Sequence, residues 1–291
     1  MRSREMNFKN MIEMRGKAVS DSIRDAVRKD AETVERELGR KPRLTIVRCG
    51  TSPDQIAYER SVEKQAKTFG IDAEILAFPE MIGDSLFMRK FMELNESRTT
   101  DGILLLRPLP SHLNEGFALS CMDSQKDVDG VSPVSAAGIY LGTEGFAPCT
   151  AEAVMELLRF YGISVAGKEV VIVGRSAVVG KPLALLMLSA NATVTICHSK
   201  TRHLEAVCRR ADILVAAIGK PRFIRADFLK EGAVVVDVGM NTDENGKLCG
   251  DVDFEGCREK AAFMTPVPGG LGAVTTAVLM RHTAEAAKSS L

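Results

Sequence analysis

Apolar positions along the chain alternate between helical and strand-like spacing, and the alternation begins near the N-terminus. Residues 6–38 carry helical spacing, with Met11, Ala18, Ile23, Ala26 and Val27 roughly along one side and Gly39 as a stop. Leu44–Val47 reads as a short strand after Pro42, running into the turn Cys49-Gly50-Thr51-Ser52-Pro53. A helix over 54–69 ends at Gly70. The strand Ile71–Phe78, a polar helix around 84–95 and the strand Gly102–Leu106 follow. This β-α-β-α-β order predicts a parallel sheet with crossover helices.

The rhythm restarts near residue 150. Thr150 is placed to cap a helix over Ala151–Tyr161. Lys168 to Val173 is written almost wholly in Val and Ile, as in a strand buried on both faces. A helix over 181–190, the strand Thr193–Cys197, a helix near 202–210 and the strands Ile213–Ala217 and Ala233–Val238 come next, and residues from Thr275 on form a last helix. The chain is thus expected to fold as two α/β halves around a cleft, with ligands outside the carboxyl ends of the strands.

Composition narrows the function classes. Thirty-eight basic residues balance thirty-eight acidic ones in 291, so no global field draws nucleic acid or an anionic membrane. No stretch approaches the ~20 apolar residues that span a bilayer. The N-terminus lacks the apolar core of a secretory signal, and Glu5 and Glu13 speak against a transit peptide. Seven cysteines (49, 121, 149, 197, 208, 249, 257) include no CxxC pair and read as reduced, mostly buried thiols. A cytoplasmic protein without a metal site is expected.

Chemistry enters at Val173-Gly174-Arg175-Ser176-Ala177-Val178-Val179-Gly180-Lys181-Pro182, a glycine turn between a buried strand and a helix. Glycine lets phosphate oxygens approach main-chain N–H groups at a helix start. The spacing is G-x5-G rather than the G-x-G-x-x-G of the usual dinucleotide fingerprint. The next strand ends Cys197-His198-Ser199-Lys200, without the carboxylate that holds the ribose hydroxyls of NAD. Arg175 and Ser199 suit a 2′-phosphate instead, by charge and by hydroxyl, so NADP is the expected cofactor.

Further motifs form an ordered series: Lys126-Asp127-Val128-Asp129-Gly130, Pro148-Cys149-Thr150, the Gly174–Pro182 turn, Asn191 through Ser199, Asp237-Val238-Gly239, Gly250-Asp251-Val252-Asp253-Phe254 and Thr265-Pro266-Val267-Pro268-Gly269-Gly270. The series resembles the methylenetetrahydrofolate dehydrogenase/cyclohydrolase family over essentially the whole chain. The resemblance implies a folate-binding catalytic domain of residues 1–148 plus 275–291. It implies a Rossmann-like NADP-binding domain of residues 149–274, and a homodimer. It also implies that Tyr58 stacks on the folate, that Asp129 hydrogen-bonds the pterin, and that Pro268, Gly269 and Gly270 touch the substrate. Gly174, Arg175, Ser176, Ser199 and Met240 are the implied cofactor contacts.

The chain departs from the family at two partnered positions. Bifunctional members carry Y-x-x-x-K on the helix and G-I-L-x-Q-x-P-L-P on the strand; here the lysine position is Val62 and the glutamine position Leu106. Both positions belong to the implied substrate site. Lys64 lies ~200° round the helix from Val62 at ~100° per residue and cannot stand in. In the family the lysine serves the hydrolytic step, with the glutamine tuning it. The leading expectation is an NADP-dependent dehydrogenase with cyclohydrolase activity lost; the alternatives are the bifunctional enzyme and a non-catalytic folate- or NADP-binding sensor. Gln55, Ser132, Ser135 and Ala273 are smaller departures, standing where the family often has Ser, His, Asn and Pro.

Overall fold

The computed structural model describes residues 11–143 and 145–291. Strand β1 (Ile12–Glu13) and helix α1 (Gly16–Leu38) come first, then β2 (Arg43–Cys49), α2 (Pro53–Phe69), β3 (Asp72–Phe78), α3 (Asp84–Glu96) and β4 (Gly102–Leu105). Two short helices follow, α4 (Glu115–Cys121) and α5 (Pro133–Leu141), then α6 (Cys149–Phe160), β5 (Glu169–Val173), α7 (Gly180–Ser189), β6 (Thr193–Cys197), α8 (Leu204–Cys208) and β7 (Ile213–Ala216). The chain ends with β8 (Ala233–Asp237), the small hairpin β9 (Asn241–Thr242) and β10 (Leu248–Cys249), α9 (Phe254–Cys257), β11 (Ala261–Met264) and α10 (Leu271–Lys288).

By contact density the chain divides into two compact units, and the division falls within α1, at the start of α6 and within α10. One unit holds residues 20–149 and 275–291. Its sheet is parallel, in the order β3-β2-β4. β2 and β4 are buried almost throughout, whereas β3, at the edge, alternates toward solvent. Val47, Ile103 and Leu105 of the sheet pack with Phe87 and Phe91 of α3 and with Leu109, Leu113 and Met122 in one apolar core. Burying a side chain of this size stabilises by roughly 1.5–3 kcal/mol.

The other unit holds residues 150–274 and the described residues up to Val19. Its six-stranded sheet is parallel throughout, in the order β1-β11-β8-β7-β5-β6. β5, β7 and β8 are the buried Val/Ile-rich strands of the centre, and their side chains form the second core with Cys197, Phe228 and Met264. In both units the chain first steps to one side of a central strand and then returns to the other. The crevice at the carboxyl ends of β2 and of β5 is therefore a topological switch point, where ligands of such sheets bind.

Four expectations need correction. Residues 11–15 are not the continuous helix expected over 6–38; Ile12 and Glu13 pair with Phe263 and Met264, and residues 6–10 lie outside the described residues. That pairing also moves the N-terminal segment out of the first half, where the 1–148 boundary had put it. On α1 the buried stripe is Val19, Ile23, Val27, Ala31 and Val34, while Ala18 and Ala26 face solvent. Thr150 does not precede its helix, because α6 begins directly after Pro148, at Cys149.

Candidate active site

Turn chemistry at the end of β2 sets up the first site. Gly50 takes a positive φ of 86°, and the Arg48 guanidinium reaches its carbonyl while its Nε donates to Glu59 of α2 at 2.7 Å. This ion pair is nearly buried on both sides. Removing one partner would strand the other charge, so the pair fixes the entry of α2 against the strand end. Pro53 supplies the first turn of α2, and Gly70 ends it in the left-handed conformation, donating to Ala66 and Lys67 carbonyls. Across the opening, Gln55 Nε2 donates to the Pro108 carbonyl at 3.1 Å. Glu115 Oε2 accepts from the Leu109 amide at 2.9 Å and faces Arg107 at 3.8 Å.

These restraints shape an open pocket of about 290 Å³ lined by Asp54, Gln55, Tyr58, Leu104, Leu105, Leu106, Arg107 and Asp129. Tyr58 and Asp129, singled out in the sequence, therefore meet. Tyr58 is 39% exposed, with a ring face available to a flat ligand. Burial of its hydroxyl, followed by the negative charge of Asp129, raises its pKa, so the hydroxyl stays protonated and is a donor rather than a base. Asp129 is half-buried. Burial chiefly, and then the Asp127 charge, push its carboxyl up to about 6; Arg107, a hydrogen bond with Cys149, and His282 pull the other way. Leu106 lines the pocket from the strand end.

Val62 does not line it. One turn along α2 from Tyr58, its side chain is fully buried against the sheet. A β-branched aliphatic on the inner face of a helix packs into the core rather than presenting itself to a ligand. Pro268, Gly269 and Gly270 belong to the other unit, on the loop after β11. There Gly16 N donates to the Gly269 carbonyl at 3.0 Å, and a Cβ at Gly16 would meet the Gly270 carbonyl oxygen at 1.9 Å. This close approach explains why Gly16 starts α1.

The second site lies at the end of β5. Gly174 has φ +139°, and a Cβ there would lie 2.1 Å from the Ala217 carbonyl oxygen; a Cβ at Gly180 would lie 2.1 Å from that of Gly174. Both glycines are demanded by close backbone approach, whatever the deviation from G-x-G-x-x-G. Ser176 Oγ accepts from the Val179 amide at 3.1 Å and so shapes the turn before α7. Arg175 and Ser199 are exposed. Val173 pairs with Cys197, and each of the two residues follows its strand end by two positions, which sets them at one level at the sheet's carboxyl edge. Arg175 forms no ion pair or hydrogen bond among the described residues, leaving its guanidinium available. Met240 is exposed after β8.

Two buried carboxylates that the sequence marked only as parts of motifs organise the neighbouring loops. Asp237 accepts from the amides of Gly239, Asp251 and Val252. Asp251 accepts from Ile218, Gly219 and Lys220 amides and from Asn241 Nδ2. Glycine at 239 and 250 admits this crowding, since a Cβ at either would collide with the facing carboxylate at 2.4 and 1.8 Å. The signal in the sequence was aspartate set beside glycine at the end of an apolar strand. Among the described residues no His/Cys/Asp/Glu group could hold a metal ion. No helix there is long and apolar enough to cross a membrane.

A glycine cradle and paired loop anchors at the switch point of one parallel sheet, with a tyrosine–carboxylate pocket at that of another, define a two-unit α/β protein with a nucleotide-type site and a separate small-molecule site. Sequence comparison gives the family. The tetrahydrofolate dehydrogenase/cyclohydrolase catalytic-domain family matches residues 14–129, and its NAD(P)-binding-domain family matches residues 148–291. The chain belongs to the tetrahydrofolate dehydrogenase/cyclohydrolase family. Among its relatives, the bifunctional protein FolD of Clostridium kluyveri is 47% identical over 276 residues, 94% of this chain and 97% of that protein. That of Clostridioides difficile is 44% identical over 97% and 98%. The crystal structure of the bifunctional FolD enzyme from Campylobacter jejuni superposes with a TM-score of 0.94 at 38% identity, covering 97% of this chain and all of that one. The Trypanosoma brucei enzyme, solved with NADP cofactor and inhibitor, gives 0.91 at 35%, covering 97% and 98%.

Proposed function

We propose that this chain oxidises 5,10-methylenetetrahydrofolate to the 5,10-methenyl compound with NADP, and that it has lost hydrolysis of the methenyl product. The observation that carries the oxidation is the meeting of Tyr58, Arg107 and Asp129 in one pocket of a chain from this family. NADP, when bound, supplies the hydride acceptor. The chain's own part is positioning. Tyr58 offers its face to the folate ring, and ionised Asp129 accepts from ring N–H donors. Hydride removal from the methylene carbon leaves a delocalised cation, and no side chain has to abstract a proton in that step.

Preference for NADP rests on Arg175 and Ser199, on the Gly174–Gly180 cradle, and on the missing carboxylate at the end of β6; the NADP-bound T. brucei relative supports it. Arg175→Ala is expected to weaken NADP binding by about 1.5–3 kcal/mol, roughly 10–150-fold, and to leave NAD nearly unchanged. Equal kcat/KM for the two cofactors in the unmodified protein would refute the preference. A homodimer, the state typical of the resemblance, is checked by light scattering.

Hydrolysis has two readings. The relatives are named bifunctional and, taken alone, favour retention of both activities. Loss is supported by the pocket itself: its lining includes no lysine, and Val62 and Leu106 occupy the positions where the resemblance implies the base and its partner. One spectrophotometric experiment separates the readings. Formation of NADPH from methylenetetrahydrofolate reports oxidation, and the decay of methenyl absorbance reports hydrolysis. NADPH without accelerated decay is the expected result. Rapid decay would establish the bifunctional reading, and binding of both ligands without turnover would make the chain a sensor.

A further inference from the structure

The loop that carries Asp129 is held by a carboxylate with no assigned part in the reaction. Asp127 is fully buried, and it accepts from the Val131 amide at 3.0 Å, the Ser132 amide at 2.8 Å and the Ser135 hydroxyl at 2.5 Å. Ser132 Oγ in turn donates to Ser135 Oγ at 3.2 Å and accepts from the Ser135 amide at 3.1 Å as the N-cap of α5. Two backbone amides and the Ser135 hydroxyl thus converge on Asp127. The cluster closes a tight loop around Asp129. Gly130 has φ +65°, and a Cβ there would strike the Ala147 carbonyl carbon at 2.4 Å. Ser132 and Ser135 are also two of the positions where this chain departs from its family.

We infer that Asp127, gathered by Ser132 and Ser135, is a positioning residue that fixes the Asp129 carboxyl in the pocket and sets its charge, and that Ser135 acts in the reaction only through it. The inference rests on the reading that Asp129 contacts the folate. The charged and titratable groups facing Asp129 are Asp127 on its own loop, Arg107 after β4, Asp54 and Tyr58 of α2, Cys149 of α6 and His282 of α10. Of the two carboxylates among them Asp127 is the one whose charge acts on Asp129, so its removal lets Asp129 ionise more readily.

The test is the pH profile of kcat/KM for methylenetetrahydrofolate at saturating NADP, in the unmodified protein, Asp127→Asn, Ser135→Ala and Ser135→Thr. Asp129 must be ionised to accept, so activity in the unmodified protein falls as pH drops through about 6. In Asp127→Asn this acid limb moves to lower pH by about half a unit or more. Ser135→Ala raises KM for the folate about three- to tenfold with KM for NADP unchanged, on the scale of one ordinary lost hydrogen bond. Ser135→Thr, which keeps the hydroxyl, restores it. If Asp127→Asn does not fold, the two Ser135 variants carry the test alone. An unmoved acid limb, or equal loss in Ser135→Ala and Ser135→Thr, overturns the inference. An unmodified protein that does not oxidise methylenetetrahydrofolate overturns the functional reading instead, and the two failures are thereby distinct.

Discussion

Asp129→Asn is expected to cut kcat/KM for methylenetetrahydrofolate by roughly 10–150-fold, while the melting temperature and NADP binding stay within error of the unmodified protein. The carboxyl sits half-buried in a pocket whose lining combines Leu104, Leu105, Leu106 and the Tyr58 ring with the polar Asp54, Gln55 and Arg107. A charged acceptor in such surroundings makes a stronger hydrogen bond than an amide carbonyl of the same shape. The asparagine also brings an NH₂ group that meets the folate donors head-on. The loop does not depend on this side chain, because its bonds run through Asp127, so loss of fold is not the expected outcome. The variant should also lose the acid limb near pH 6, since an amide does not titrate. Normal turnover in Asp129→Asn would reduce Asp129 to a turn residue.

The sequence was most informative where one physical effect acted alone. β5 could be read directly because four consecutive aliphatics, Val170 to Val173, are buried on both faces of a central parallel strand. Tyr58 and Asp129 could be named because they stand in the motifs that carry the family resemblance, and the structure puts them in one pocket. Helices α4 and α5 escaped because they are 7 and 9 residues long, too short for a period to show. β1 has two residues, and its partner β11 lies some 250 positions further on; no local pattern carries that pairing. The shift of the N-terminus into the unit of the six-stranded sheet follows from that pairing and from the Gly16 contact with Gly269.

Val62 marks a different limit. Helical spacing correctly put it on the Tyr58 side of α2, but spacing cannot say how deep each residue on one side lies. Tyr58 stands at the open end, above the turn pinned by Arg48 and Glu59, and Val62 is a turn further in, against the sheet. Asp127 was in plain view in the motif, one residue from a candidate acceptor. Its part emerged only with the donors that α5 brings to it, and α5 was itself unread.

On the proposed reading, in which the unmodified protein leaves hydrolysis near the uncatalysed rate, Val62→Lys with Leu106→Gln is expected to confer methenyl hydrolysis, and to do so by more than the two single changes combined. General acid–base groups supply ~10²–10⁴-fold, so a partial gain is easily measured. The structure predicts how the single changes fail. Val62 is fully buried, and a lysine there begins among aliphatic neighbours; it must extend its stem toward the pocket to keep the ammonium solvated. Beside Leu106 that ammonium finds no partner, so burial drives its pKa down without control and lowers the stability of the protein. Leu106→Gln alone places an amide in the pocket with nothing to orient. Together the glutamine carbonyl accepts from the lysine and holds it at the pocket wall, where Leu106 already lies. Oxidation should survive in all three variants, because they leave the proposed positioning by Tyr58 and Asp129 in place. Efficient hydrolysis by the unmodified protein, or strictly additive effects in the double variant, would show that these two positions are not the base and its partner in this chain.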